Sequence, residues 1–303
     1  MPVVICVSAN PSLDQVLVTR GFKMGGKVEP VRWTVIPGGS GVRIGNVVRE
    51  MGAPVTVTGF RGGGSGAWHA QLMDEAGLPH DFVPIREETR GTVLILDESR
   101  GFMVELPGPG PSVTEADAEH LVERVASLSN AGDWVIVSGR LPTGAPVDLY
   151  ARLTRAARAR GARVAVDARG AVLLAALDEV PDLWKPNAQE MQDAMAEGLD
   201  PVALCERGAT ILLSEGRNGA LLLRPGDRPL RFAPPPRRPW NPAGSGNALL
   251  AATVATLCLG GEWVDAVRHG LAAGVANMQY DVAGHATREE VDRLAPLVIV
   301  TEQ

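Results

Sequence analysis

The sequence has 303 residues, 45% of them hydrophobic and 21% charged, which is enough apolar material for one large domain and carries no compositional sign of disorder. With 29 Lys and Arg against 35 Asp and Glu the net charge is −6. That argues against a nucleic-acid or anionic-membrane surface, so a site for a negative ligand has to be a local basic pocket. Cys6, Cys205 and Cys258 are few, odd in number and widely spaced, as reduced thiols in a cytoplasm are. His69, His80, His120, His269 and His285 show no metal-ligand spacing. Met1-Pro2-Val3-Val4-Ile5 has no basic region or cleavage pattern for secretion, and the apolar run 248–259 is too short to span a bilayer.

Val3-Val4-Ile5-Cys6-Val7 is a continuous apolar run, the mark of a strand buried on both faces. It ends at Ser8-Ala9-Asn10-Pro11-Ser12-Leu13-Asp14. Ligands of an open α/β sheet bind beyond the carboxyl ends of strands, where Asp14 would accept hydrogen bonds from substrate hydroxyls or simply be a solvated turn residue. Residues 16–36 alternate weakly between glycines and predict two short antiparallel strands carrying Lys27 and Arg32. Pro37-Gly38-Gly39-Ser40-Gly41 then opens a helix over 42–51, and its glycines allow close approach of backbone or ligand. A strand over 55–60 and a helix over 65–77 follow. Residues 92–97 and 102–106 flank Glu98-Ser99-Arg100-Gly101 as a hairpin. Segments 12–37 and 88–107 are therefore expected to form a small β lid apart from the main sheet.

From residue 114 the pattern is regular: helix 114–128, strand 134–138, helix 146–160, strand 164–167, helix 170–179, a strand at 183–185, a helix from Asn187, another near 200–207, then strands 210–214 and 220–223. Alternation of this kind predicts a doubly wound, mostly parallel sheet covered on both faces. Residues 224–240, with Pro234-Pro235-Pro236-Arg237-Arg238, read as an exposed connecting loop. Asn241-Pro242-Ala243-Gly244-Ser245-Gly246-Asn247 then gives way to the small apolar run 248–255, a loop feeding a buried helix. Free N–H groups and the helix dipole at such a start suit an anion, most often a phosphate.

Several of these stretches together resemble the ribokinase-like, or PfkB, sugar kinases, and most of all their 1-phosphofructokinase and tagatose-6-phosphate kinase branch. Asn10-Pro11-Ser12-Leu13-Asp14 matches Asn-Pro-x-x-Asp, and Pro37 to Gly41 stands where that branch has Gly-Gly-Lys-Gly. Thr89-Arg90 matches Thr-Arg. Ser138-Gly139-Arg140-Leu141-Pro142-Thr143-Gly144 is similar to Ser-Gly-Ser-Leu-Pro-x-Gly. Lys185-Pro186-Asn187-Ala188-Gln189-Glu190 matches Lys-Pro-Asn-x-x-Glu, and Ser214-Glu215-Gly216-Arg217-Asn218-Gly219-Ala220 is similar to Ser-Leu-Gly-x-x-Gly-Ala. Gly244 to Asn247 falls where the family has Gly-Ala-Gly-Asp. The matches run in order from residue 10 to 247.

The resemblance implies a single domain over 1–303 with a three-layer α/β/α ribokinase-like fold, a mostly parallel central sheet and a small β-sheet lid. It implies ATP and Mg²⁺, a sugar or sugar-phosphate acceptor, and a homodimer formed through the lid. Asp14, Gly38, Gly39, Ser40 and Arg43 would meet the sugar, and Lys27, Arg90 and Arg140 would clamp a phosphate on it. Lys185, Asn187, Ser214, Gly216 and Gly219 would line the nucleotide site, with Asn187 and Glu190 organising Mg²⁺ through its waters. Gly244, Ser245 and Gly246 would form the hole for the moving phosphoryl group.

The chain also departs from the pattern. Asn247 replaces the Asp that accepts the hydroxyl proton, and an amide cannot take that proton at neutral pH. Ser40 replaces a Lys, Arg43 an Asn and Pro242 a Thr. Two readings stay open: an active ATP-dependent kinase with an altered acceptor and a weakened base, and a catalytically dead relative that binds a sugar phosphate or nucleotide as a sensor or partner subunit. A dinucleotide-dependent oxidoreductase is disfavoured, because no Gly-x-Gly-x-x-Gly follows the first strand.

Overall fold

The structure, a computed structural model, describes every residue except Met24, Arg238 and Gln303. In chain order its first half comprises β1 (Val4–Ser8), β2 (Ser12–Thr19), β3 (Arg32–Gly38), α1 (Ser40–Glu50), β4 (Val55–Gly62), α2 (Gly63–Glu75), β5 (Val83–Ile85), β6 (Arg90–Asp97), β7 (Phe102–Pro107), α3 (Glu115–Leu128) and β8 (Trp134–Ser138). The second half comprises α4 (Leu149–Ala159), β9 (Arg163–Asp167), α5 (Gly170–Asp178), β10 (Leu183–Trp184), α6 (Ala188–Ala196), α7 (Pro201–Glu206), β11 (Thr210–Ser214), β12 (Ala220–Leu223), β13 (Leu230–Ala233), α8 (Ser245–Cys258), α9 (Trp263–Asn277), α10 (Arg288–Leu294) and β14 (Ile299–Glu302).

Ten strands form one sheet in the order β14-β13-β12-β11-β10-β9-β8-β1-β4-β5. It is parallel from β5 to β11 and antiparallel beyond. Successive side chains of a strand leave opposite faces, so each central strand feeds two cores. Val4 and Cys6 of β1, with Trp134 and Ile136 of β8, join the core under α1, α2, α8, α9 and α10. Ile5, Val7, Val135 and Val137 join the core under α3 to α7. The result is the three-layer α/β/α arrangement of a ribokinase-like fold.

β3-β2-β6-β7 form a separate four-stranded sheet. The two hairpins are antiparallel, but β2 and β6 pair in parallel, with Ser12 opposite Arg90 and Asp14 opposite Thr92. Strand alternation divides this sheet chemically. The inner face is apolar at one end, where Val16, Val18, Leu94 and Leu96 pack with Ile36, Met103, Trp240 and Val282. It turns polar at the other end with Ser12, Asp14, Arg90 and Thr92. Asp97 knits one corner, its carboxylate accepting from the backbone N–H groups of Phe22, Ser99 and Arg100.

One expectation needs correction. Residues 224–240 are not all loop: β13 lies within them, because Phe232 is fully buried between β12 and β14. The prolines flanking this four-residue strand hide it from a reading by composition. Arg237 is exposed, and Arg238 lies outside the described residues. Among the described residues no helix is long and apolar enough to cross a membrane.

Candidate active site

Asp14 is 3% exposed and lies close against the backbone of β3, and neither it nor Gly38 lines the two cavities described below. A Cβ on Gly38 would lie 2.2 Å from the Asp14 carboxyl carbon. Gly39 has φ 106° and would bring a Cβ to 2.6 Å from Ser8 Oγ, so the turn into α1 lies directly on the end of β1. Asp14 Oδ1 accepts from Ser12 Oγ at 2.6 Å and Oδ2 from Arg43 Nη2 at 2.7 Å. Arg43 projects from the first turn of α1, and its Nε is buried without a hydrogen-bond partner.

Arg90 is fixed from below. Its Nε donates to the Asn10 side-chain oxygen at 3.1 Å and its Nη1 to Thr92 Oγ1 at 2.9 Å. Burial is the chief influence pulling its pKa down; Asp14 opposes this, and neighbouring Arg43 and Arg140 add to it. A guanidinium stays charged even so, so the three cations repel one another and favour an anion between them. Arg43, Arg90, Arg140 and Arg169 together line a cavity of about 620 Å³ with Ser40, Gly39 and Glu105. Lys27 is not brought there: its side chain is 86% exposed and pairs with Glu29 at 3.0 Å, in the connection between β2 and β3. Charge alone gave no sign of where that connection points.

A second cavity of about 190 Å³ adjoins the first through Ser40, Gly139 and Arg169 and is lined by Asp167, Lys185, Asn187, Glu190, Gly246 and Asn247. Lys185 is 4% exposed and pairs with Asp167 at 3.3 Å. Asp167 also accepts from Ser138 Oγ at 3.2 Å. Asn187 caps α6: its side chain accepts from Glu190 N at 2.9 Å while Glu190 Oε2 accepts from Asn187 N at 3.0 Å. Ser214 Oγ donates to the Pro186 carbonyl at 3.1 Å, beside the Asn187–Ser214 bridge. Gly216 lies in open space, whereas a Cβ on Gly219 would strike the Phe232 carbonyl, so packing against β13 already requires glycine there. Ser214, Gly216 and Gly219 line neither cavity.

Gly244 stands at the N-cap of α8 with φ 77°. Ser245 Oγ donates to the Pro242 carbonyl at 2.8 Å. Asn247 Nδ2 donates to the Ser40 carbonyl at 3.2 Å, which joins the first turns of α8 and α1 and leaves Asn247 Oδ1 available to a ligand. Two buried amides hold this loop and were not foreseen. Asn241 Nδ2 donates to the Asp281 carbonyl at 2.8 Å and its Oδ1 accepts from Ala243 N at 3.0 Å. Asn277 Nδ2 donates to the Ala243 carbonyl at 2.7 Å, and its Oδ1 accepts from Gly284 N at 2.7 Å. Asp281 links the loop to the small sheet: its carboxylate accepts from Trp240 Nε1 at 2.8 Å and from Arg32 Nη2 at 2.7 Å. Asp167 and Arg169 were also missed. Asp167 ends a parallel strand as Asp14 follows one, and that position was the available signal.

Two adjoining cavities, one rich in guanidinium groups and one at a bare helix start, offer positive charge and free donors to anions. The sequence model describing pfkB family carbohydrate kinases matches residues 4–289, and the chain belongs to that family of sugar kinases. It is 29% identical over 305 residues to the 1-phosphofructokinase of Bacillus subtilis (strain 168), covering 97% of this chain and 98% of that protein. Escherichia coli phosphofructokinase-2 in complex with substrates and products superposes with a TM-score of 0.88 at 24% identity, covering 98% of this chain and 99% of that one. Ribokinase from Thermotoga maritima superposes with a TM-score of 0.74 at 17% identity over 97% of this chain and 98% of its own.

Proposed function

We propose that the protein transfers the γ-phosphoryl group of ATP to an oxygen of a phosphorylated sugar held beneath the small sheet, which acts as a lid. The observation that carries this reading is the convergence of Arg43, Arg90 and Arg140 on one cavity that opens at Ser40 onto Asn247. The arginines would hold the phosphate already on the acceptor, and Asp14, Gly38, Gly39 and Ser40 would set its reacting end. Lys27 would have to act from outside this cleft. Gly244, Ser245 and Gly246 would give the transferred group the N–H donors of α8. Phosphoryl transfer asks for alignment and charge dispersal above all, and rigid elements supply both here.

On the nucleotide side Lys185 would meet the phosphates, with Ser214, Gly216 and Gly219 farther along. Magnesium would neutralise phosphate charge when bound, and Glu190 fits a water-mediated hold on it: Oε2 is used on Asn187 N and Oε1 is uncommitted. Among the described residues no group of three or more His, Cys, Asp or Glu forms a cage; Asn187 and Glu190 would act on the metal through its waters. The three free cysteines suit a reducing cytoplasm. The outer face of the small sheet, with Trp33 66% exposed, suits a homodimer.

Asn247 favours a second reading, a binding protein without turnover, and one experiment separates the two. Asn247 Oδ1 can accept a hydrogen bond from an acceptor hydroxyl but cannot take its proton, so turnover on hydroxyl acceptors should be slow rather than absent. Asn247→Asp should raise kcat on sugar phosphates about 10-fold or more with little change in KM. Steady-state kinetics of both forms would show it. Binding of both ligands with no turnover by either form would leave the sensor. A fast wild type that the substitution slows on hydroxyl acceptors would place the base elsewhere.

A further inference from the structure

We propose that Arg169 is a catalytic residue of this transfer, its guanidinium meeting the charge that gathers on the phosphoryl group as that group passes between the two cavities. The inference rests on the kinase reading above and adds to it a residue that reading leaves unused.

Arg169 owes its place to the end of β9. Asp167 closes that strand, Ala168 packs into the core under α3 to α7, and Arg169 follows in extended backbone with φ −145° and ψ 162°. Alternation along an extended chain puts Asp167 and Arg169 on the same side, and both line the second cavity. The neighbouring strand end is fixed beside them, since Gly139 N donates to the Asp167 carbonyl at 3.0 Å.

Ser40, Ser138, Gly139 and Arg169 line both cavities, and Arg169 is the charged residue among them. A group moving from nucleotide phosphates to an acceptor held by Arg90 and Arg140 has to cross there. The remaining cations are committed. Lys185 faces Asp167 at 3.3 Å, Arg43 is bound to Asp14, and Arg90 to Asn10 and Thr92. Glu190 adds a further anion to the second cavity, so without Arg169 its lining would be negative on balance, a poor surrounding for a phosphoryl group. Among the described residues Arg169 forms neither an ion pair nor a hydrogen bond, which leaves its charge and its donors free for a ligand.

In the transfer the acceptor oxygen bonds to the γ-phosphorus of ATP, the bond to the β,γ-bridging oxygen breaks with its electron pair on ADP, and the acceptor's proton leaves to water. Between those events the negative charge is spread over the oxygens of the moving group. The N–H groups at the start of α8 supply neutral donors to it. Arg169 supplies the cation, in a planar fork that suits two oxygens at once.

The groove between α5 and α6 offers Arg169 a different use. Glu190, Asp193 and Glu197 line it together with Arg169, and an arginine serving only as their counter-charge would leave the kinetics untouched.

The test compares wild type, Arg169→Ala and Arg169→Lys in steady-state kinetics with ATP, Mg²⁺ and the best acceptor among fructose 1-phosphate, fructose 6-phosphate and tagatose 6-phosphate. Arg169→Ala should lower kcat by about 100-fold or more with little change in either KM. Arg169→Lys keeps the charge without the fork and should lose roughly tenfold. Added guanidinium should return part of the rate of Arg169→Ala and none to Arg169→Lys. Because Arg169 has no partner in the fold, both variants should melt with the wild type. Calorimetry supplies a readout without turnover: with ADP, Mg²⁺ and the acceptor, the wild type should hold aluminium fluoride, a mimic of the moving group, about 100-fold more tightly than Arg169→Ala, while ADP with Mg²⁺ alone binds both equally. An unchanged kcat in Arg169→Ala, a loss confined to the KM of the acceptor, or equal holding of aluminium fluoride overturns the inference and leaves the kinase reading. No ADP from any acceptor, despite binding of ATP and a phosphorylated acceptor, overturns both.

Discussion

Arg90 is oriented by Asn10 and Thr92 before any ligand arrives, so its charge is delivered to the cleft with little ordering left to do. Arg90→Ala should weaken binding of phosphorylated acceptors by roughly 1.5–3 kcal/mol, the usual worth of a charge-assisted hydrogen bond, and leave neutral sugars almost unchanged. Calorimetric titration with both kinds of ligand checks this, and equal losses for the two would remove Arg90 from the phosphate clamp. Asp14, Gly38, Arg90, Asn187 and Gly246 were singled out by the motifs that carry the family resemblance, and of these Arg90, Asn187 and Gly246 line one or other cavity. Asp167, Asn241 and Asn277 were hidden because their meaning lies in partners far along the chain, such as Lys185, Asp281 and Ala243. Lys27 failed in the opposite way, being a suitable charge on a connection whose direction no local pattern fixes.

At the scale of elements, α2 carries an internal tension. His69 is fully buried against Phe82, and neither ring nitrogen has a hydrogen-bond partner. Burial pushes its pKa down to about 4; the Gly38 backbone and Asp14 oppose this, while Arg61 and His80 add to it. The unfolded chain therefore binds a proton near pH 6.5 that the folded one refuses until about pH 4. Stability is full above the higher value and falls as pH drops through that window, by up to about 3 kcal/mol at roughly 1.4 kcal/mol per unit. Denaturant titrations from pH 7 to 4 should show this slope in the wild type and a flatter one in His69→Leu. The regular α/β half of the chain was legible because its strands are continuous apolar runs, and β8 falls where the sequence places it, at Trp134–Ser138. β13 was not, since a short strand between prolines becomes a strand only through its neighbours β12 and β14.

For the whole molecule, the outer face of the small sheet stands out. Trp33, Leu17, Ile95 and Val104 lie side by side across its four strands, and Trp33, Val104 and Leu106 are 66%, 37% and 54% exposed. A contiguous exposed apolar patch of this kind is where the proposed homodimer would form. Sedimentation should find the wild type dimeric and Trp33→Lys monomeric; a wild-type monomer at micromolar concentration would remove the lid interface.

The parallel pairing of β2 with β6 has a kinetic consequence. It joins segments far apart in the chain, and α1, β4, α2 and β5 lie between them. Such contacts form late, because the intervening chain must first be organised before closing the loop becomes affordable in entropy. Asp14 and Arg90 come together only through that pairing. During refolding, helical signal should therefore return before the capacity to bind a phosphorylated acceptor, and the lag between the two would time the closing of the small sheet. A chain caught between those events would have its two cores and an open cleft, so that acquiring its ligand is the last act of its folding.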